Sequence, residues 1–441
     1  MRSPSHAWLW LVRKEWRELL ASRAWWVMVA LTGPLVGVSF ISAVNLYAEA
    51  SGLGATLPNV GEAFSPLDGI WVPTFTAYEL AATFLLPFVV IRLVAGDRQS
   101  GALKLELQQG MPATWRILAK VVVLLAGWCM ACVPAGIALV LWTRYGGSTY
   151  PPELLSVVLG HLLNAGLVIA LATAAASVAE HPSTAAILTL AVTVGTWILG
   201  FVAAVHGGLW EQVAAYTPGA MLDAFQHGLI RLNAALVVFV LSLTGVGLGA
   251  IWLRLGVPVR RRTLESALLG GLAAALVVAC ALVRPSWDVS ENRRHSFARP
   301  DQEALARISA PLTIEAHLAP EDPRRFDLEH QALSKLRRAM PSLSVRYVST
   351  TTTGLFEQAT AGYGEIRYDL GGRKTTSRLT TGEAVLDTIY GLAGITPPAQ
   401  VEPAFRGHPL AARPTAAAPI FYAVWPALVA GLALLASRRQ T

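Results

Sequence analysis

The sequence predicts a mainly α-helical polytopic membrane protein of about eight transmembrane helices, with one small α/β domain outside the membrane. Three observations predict it. Hydrophobic residues make up 54% of the chain and charged residues only 14%, against about 25% charged in ordinary globular domains. The deficit is uneven: long stretches hold almost no charge, while residues 284–417 have the composition of a soluble domain. Eight apolar runs approach the about 20 residues that a helix needs to cross a hydrocarbon core about 30 Å thick.

The chain opens with an amphipathic segment, 1–23. Trp8, Leu11, Val12, Trp16, Leu19 and Leu20 recur at helical spacing, and Arg13, Lys14, Glu15, Arg17 and Glu18 fill much of the rest. That pattern predicts a helix lying in the membrane interface. The alternative is a plain cytoplasmic helix leading into the first span. No cleavable signal peptide is expected, because the first apolar run is long enough to span and follows a charged segment.

The predicted spans are 24–45, 77–95, 118–142, 154–178, 185–205, 234–255, 264–283 and 418–436. Pro34, Pro87 and Pro134 fall inside them, which membrane helices tolerate when neighbours satisfy the freed carbonyl. A charge at the bilayer centre costs about 2.5–3.5 kcal/mol. Glu79, Arg92 and Glu153 are placed near span ends, where snorkelling relieves that cost. His161 is deeper, with Asn164 one turn on. The two are read as lining a polar path or as bonding a neighbouring helix.

Basic residues orient the chain. Arg13, Lys14, Arg17 and Arg23, then Arg98, Lys104, Arg116 and Lys120, then Arg254 and Arg260 to Arg262, then Arg438 and Arg439 fall on one side. The opposite short loops hold little beyond Arg144 and Arg231, and 46–76 has no Lys or Arg. The positive-inside rule therefore predicts two cytoplasmic termini and an extracytoplasmic 285–417. The net charge of +7 is explained this way. No zinc-finger spacing or aromatic RNA-binding signature supports nucleic-acid binding. Arg greatly outnumbers Lys, which hints at a GC-rich bacterial genome, so the expected location is a bacterial cytoplasmic (inner) membrane. In the outer segment 207–233, Pro218-Gly219 divides two short amphipathic helices expected at the outer membrane surface.

The soluble domain has a legible order. A helix at 300–308 precedes a strand at 311–318, a helix at 323–340 and a strand at 343–349. A short helix or loop follows near 354–361. Strands 365–370 and 375–380 are joined through Gly371-Gly372, a hairpin signal. A helix at 381–393 ends near Gly394. This is a thioredoxin-like order, without a Cys-x-x-Cys and so without dithiol chemistry. The three cysteines, Cys129, Cys132 and Cys280, all lie in apolar stretches, so no disulfide framework is expected. His295, His317, His330 and His408 belong to no catalytic grouping and are read as surface residues. A Pro- and Ala-rich linker, 401–417, leads to the last span and cytoplasmic tail, 418–441.

Residues 92–120, RLVAGDRQSGALKLELQQGMPATWRILAK, resemble the first cytoplasmic loop of type-2 ABC exporter permeases. An acidic residue and Gly open that loop, a leucine-rich helix follows, then Pro, then a basic residue. Asp97, Gly101, Leu103, Leu105, Leu107, Pro112 and Lys120 take those places, with Asp97 where Glu is usual and Ala102 where Thr is usual. The resemblance covers roughly 8–256 and implies a six-span permease domain, 24–256. It implies a separate ABC ATPase that binds ATP and Mg, docked on the cytoplasmic loop 96–116. Leu103, Leu107 and Met111 would form the docking face, and a homodimer or a related permease would complete the pathway. A second stretch, WDVSENRRHSF at 287–297, resembles the opening of the auxiliary domain of gliding-motility-type ABC systems. Asp288, Asn292, Arg293 and Ser296 fit that pattern, as does YGEIRYDLGGRKTTSRLTTGEAVLDTIYGLA downstream. The resemblance implies a seventh span, 257–284, and an auxiliary domain, 285–400, free to bind a periplasmic protein.

No Gly-x-x-x-x-Gly-Lys-Ser/Thr occurs, so the chain holds no P-loop and no nucleotide cofactor of its own. The expected function is therefore transport rather than enzymatic catalysis, and export is the direction the family resemblance implies. Cys129-Met-Ala-Cys132 is read as close helix packing, with a soft-metal stop as the alternative. The competing function is a membrane scaffold whose outer domain recruits a periplasmic partner while the spans only anchor it.

Overall fold

The computed structural model describes residues 4–54, 64–99, 112–206, 209–214, 217–254, 256–319, 322–340, 342–348, 362–399 and 405–438. It is mostly helical. Among the described residues, eight helices are long and apolar enough to cross a membrane: Arg23–Gly52, Leu67–Asp97, Ala113–Arg144, Pro151–Val178, Pro182–Ala203, Leu232–Trp252, Val259–Ala281 and Ala417–Arg438. They are called spans 1 to 8 below. The chain divides into two compact units, one of residues 1–198, 215–285 and 406–441, the other of 199–214 and 286–405.

The spans fall where hydropathy places them, but several run longer. Span 2 begins at Leu67 rather than 77. In the turn Leu67–Trp71, Leu67, Ile70 and Trp71 are buried, and Pro73 sits in the first turn of the helix that follows, where its missing N–H costs nothing. Glu79 therefore lies about three turns inside the span and not near its end. Pro34 is carried inside an unbroken helix, as expected, but the helices break beside the other two prolines. Span 2 is interrupted at Leu85, just before Pro87, and span 3 at Cys132, just before Pro134. At the second break the Ala135 N–H is received by the Tyr78 hydroxyl of span 2 at 3.0 Å. A neighbouring helix thus meets the group that the kink exposes.

Span 8 packs on span 1 through two glycines. A Cβ on Gly33 would lie 2.0 Å from the Trp425 ring, and one on Gly37 would lie 2.5 Å from Phe421 Cβ. The Trp425 indole donates to the Val29 carbonyl at 2.9 Å. Spans 1 and 8 are therefore antiparallel, and both termini lie at one end of this unit. Small residues let the backbones approach, as in other membrane helix pairs. Gly245 does the same between spans 6 and 4, where a Cβ would stand 2.7 Å from the Ala170 carbonyl oxygen.

The predicted linker ahead of span 8 is a docked strap. The His408 N–H donates to the Phe64 carbonyl at 2.9 Å, the Tyr47 hydroxyl donates to the His408 carbonyl at 2.8 Å, and the Leu410 N–H donates to Ser51 Oγ at 2.9 Å. His408 thus belongs to the first unit, not to the second.

The second unit holds a four-stranded sheet of β1 (Leu312–Ala316), β2 (Leu343–Tyr347), β3 (Ile366–Leu370) and β4 (Arg373–Ser377) in the order β2-β1-β3-β4. β1 pairs parallel with β2 and antiparallel with β3, and β3 pairs antiparallel with β4. The sheet is therefore mixed. Gly371 and Gly372, at φ +57° and +93°, supply the two positive φ values of a tight hairpin turn. They start β4 at Arg373, two residues earlier than predicted. Leu312, Ile314 and Ala316 are buried alternately and pack with Leu305, Leu336, Val385 and Ile389. The Tyr390 hydroxyl donates to Asp301 at 2.7 Å inside this core.

Candidate functional site

The buried charges of the membrane unit concentrate at the end that carries both termini. Asp97 closes span 2, Lys120 stands early in span 3, and Glu15 projects from the amphipathic helix Pro4–Ala21. These residues are 5%, 3% and 0% exposed. Lys120 Nζ lies 2.6 Å from Glu15 Oε2 and 2.6 Å from Asp97 Oδ2, and it also donates to the Leu93 carbonyl at 3.4 Å. Lys14 approaches Asp97 at 3.4 Å, Glu15 at 3.3 Å and Glu18 at 3.1 Å.

The local sequence explains the burial. Leu11, Glu15 and Leu19 lie one turn apart and share the packed face of the amphipathic helix. Trp8 meets Trp115 of span 3 edge-on at 6.3 Å. The face predicted to enter the lipid interface is therefore partly a protein interface, while Leu9 and Trp10 stay exposed. Burial raises the Glu15 pKa, and Lys120 and Lys14 pull it back down. Glu15, Glu18 and Asp97 bring carboxylate oxygens within 4.8 Å of one another, a spacing that can hold a cation. The ammonium groups of Lys120 and Lys14 already take that role.

This cluster joins the two ends of the segment singled out for coupling. Asp97 enters it, Pro112 leaves it as the residue before the span 3 helix, and Lys120 follows. Gly101, Leu103, Leu107 and Met111 lie outside the described residues. A small indentation lined by Val94, Asp97, Arg116, Ile117, Lys120 and Leu253 among others lies beside the ion pairs. Asp97 and Lys120 were legible in the sequence as loop landmarks. Glu15 was not, because it reads as one more polar residue of an amphipathic helix. Its spacing with Leu11 and Leu19 was the available signal.

His161 and Asn164, predicted neighbours on span 4, have different surroundings. His161 is 4% exposed. Its Nε2 is 3.1 Å from the Gln226 amide nitrogen, and its ring lies against Phe75. Asn164 lines a separate cleft with Glu79, Thr83, Thr193 and Thr196. Gln226 comes from the short helix Pro218–Gln226, which Thr217 caps by accepting from the Ala220 N–H. Pro218-Gly219 thus opens the second of two short helices, as the sequence predicts. His227 follows, with Nδ1 2.9 Å from Asp68 and Nε2 3.4 Å from Asp223. These two carboxylates raise its pKa to about 9.

Cys129 and Cys132 flank the span 3 kink. Neither joins the group of three or more metal-capable side chains found among the described residues. In the second unit, Asp288 organises a turn. It accepts from the Ser290 N–H at 3.1 Å and the His295 N–H at 3.0 Å. Ser296 caps no helix, since the helix starts at Arg299 behind Ala298.

Fold and cluster together define a polytopic helical membrane protein with a buried ionic junction at one end. Comparison with protein-family models and with curated proteins returns no match.

Proposed function

We propose that this chain is the membrane-spanning subunit of an ATP-driven exporter of the type-2 ABC kind, served by a separate ATPase that binds ATP and Mg. One observation carries the proposal: Lys120 bridges Asp97 and Glu15, so the ends of the segment 100–111 are ion-paired to each other and to the amphipathic helix. Force applied to that segment by a moving ATPase reaches span 2, span 3 and the amphipathic helix as one body. The basic residues near the segment support a cytosolic position for it and for both termini. The unit containing 286–405 then faces outward, where it can bind a periplasmic protein. A second copy of the chain, or a related permease, supplies the other half of the pathway.

Co-purification tests the assignment. The wild-type chain brings down an ABC ATPase, and Leu103→Asp or Leu107→Asp abolishes that association. An ATPase that stays bound to both variants refutes the coupling role of the segment. Thiol labelling in intact cells tests the orientation: a cysteine at Gln108 stays protected and one at Thr352 reacts.

A further inference from the structure

A small, partly open cleft lies between spans 2, 4 and 5, under the start of the helix Pro218–Gln226. Its polar groups converge at membrane depth. Glu79 stands about three turns inside span 2, and Asn164 is similarly deep in span 4. An ionisable side chain at that depth is costly to keep, which makes it a candidate functional group. The Trp197 indole donates to the Glu79 carboxylate, and Asp223 lies within electrostatic reach. No Lys or Arg is among the lining residues. The hydroxyls of Thr193 and Thr196 donate to their own helix, to the carbonyls of Thr189 and Thr193 at 3.1 and 2.7 Å. What these threonines offer a ligand is therefore oxygen lone pairs.

The cleft thus presents acceptors, an aromatic ring and negative charge, and its neighbourhood adds to that field. Asp68 and Asp223 share the single imidazole of His227. The remaining lining is apolar, with Leu167, Leu171, Val192 and Leu222. Val192 and nearby Phe84 are 49% and 41% exposed on the surface that lipid would cover. An occupant with several donors, a positive charge and an apolar tail matches all of these features.

We infer that this cleft binds the primary-ammonium headgroup of an amphiphile, with the nitrogen on Glu79 and the Thr196 oxygen and the tail along Val192. Naming that occupant as exported cargo rests on the transporter assignment above, but binding does not.

The test is a titration of the full purified chain in maltoside micelles, read by thermal stabilisation and by adducts in native mass spectrometry. The probes are dodecylamine, dodecyl sulfate and a short-chain phosphatidylethanolamine. Dodecylamine binds saturably and dodecyl sulfate does not. Glu79→Gln weakens the amine at least tenfold, and Thr196→Val weakens it severalfold. Binding of phosphatidylethanolamine assigns the site to a lipid headgroup, and its failure beside a binding amine assigns it to a soluble amphiphile. Equal affinity in Glu79→Gln and wild type, or equal binding of the sulfate, overturns the inference. If Glu79→Gln does not elute as a folded species, Thr196→Val and Asn164→Ala decide, and unchanged amine affinity in both overturns it. No ATPase enters the titration, so amine binding and ATPase association fail or succeed separately.

Discussion

Replacing Lys120 by Met isolates the ionic junction. The side chain keeps nearly the same length and loses its charge, leaving Glu15 and Asp97 at 0% and 5% exposure without their shared partner. Removing one member of a buried ion pair costs about 3–5 kcal/mol. Lys14, 3.3 Å from Glu15 and 3.4 Å from Asp97, recovers part of this, so a loss of about 3 kcal/mol is expected. Burial already raises the Glu15 pKa, and losing Lys120 raises it further. An acid whose folded-state pKa lies above its unfolded value binds protons more readily when folded. Stability then falls as pH rises through that pKa. Lys120→Met is therefore stabler at pH 5 than at pH 8, by a wider margin than wild type. Adding Glu15→Gln restores much of the loss and removes most of the pH dependence. Thermal unfolding in detergent, followed by tryptophan fluorescence, reads all three proteins. A single variant as stable as wild type, or a double variant no better than the single one, refutes the claim that these charges are coupled and buried.

Three further outcomes are expected. Gly37→Leu drives a side chain into Phe421, 2.5 Å from where its Cβ must go; the undocked span 8 should cost about 1–3 kcal/mol by overpacking, read as a lower melting temperature and faster proteolysis near residue 415. Burial disfavours the protonated His227, but Asp223 and Asp68 outweigh it, so the folded-state pKa lies at about 9. Its stabilisation is complete below about pH 6.5 and is lost as pH rises through 9. After discounting for exposure this amounts to about 1 kcal/mol, and melts between pH 6 and 10 should show it in wild type but not in His227→Gln. Tyr390→Phe leaves Asp301 buried without its 2.7 Å partner; a loss of about 1.5–3 kcal/mol follows, seen as faster hydrogen exchange in the helix Gly382–Ala393.

Much of this architecture was legible in the order of residues. Eight apolar runs marked eight helices, because a hydrocarbon core admits little else that is long and uncharged. Gly371-Gly372 marked the hairpin, because few residues other than glycine accept two consecutive positive φ values. Asp97 and Lys120 marked the ends of the loop.

Tertiary structure decided the rest. Hydropathy measures a residue against lipid or water and carries no information about a partner a hundred positions away. Glu15 looked like surface charge until span 3 brought Lys120 within 2.6 Å of it. Residues 401–417 looked like a linker until Phe64, Tyr47 and Ser51 bonded part of it. Glu79 looked like a residue at a span end until the helix began at Leu67. Local pattern determines which segments become helices and strands. Which buried charges meet, and which glycines touch aromatic rings, depends on packing between segments distant in the chain.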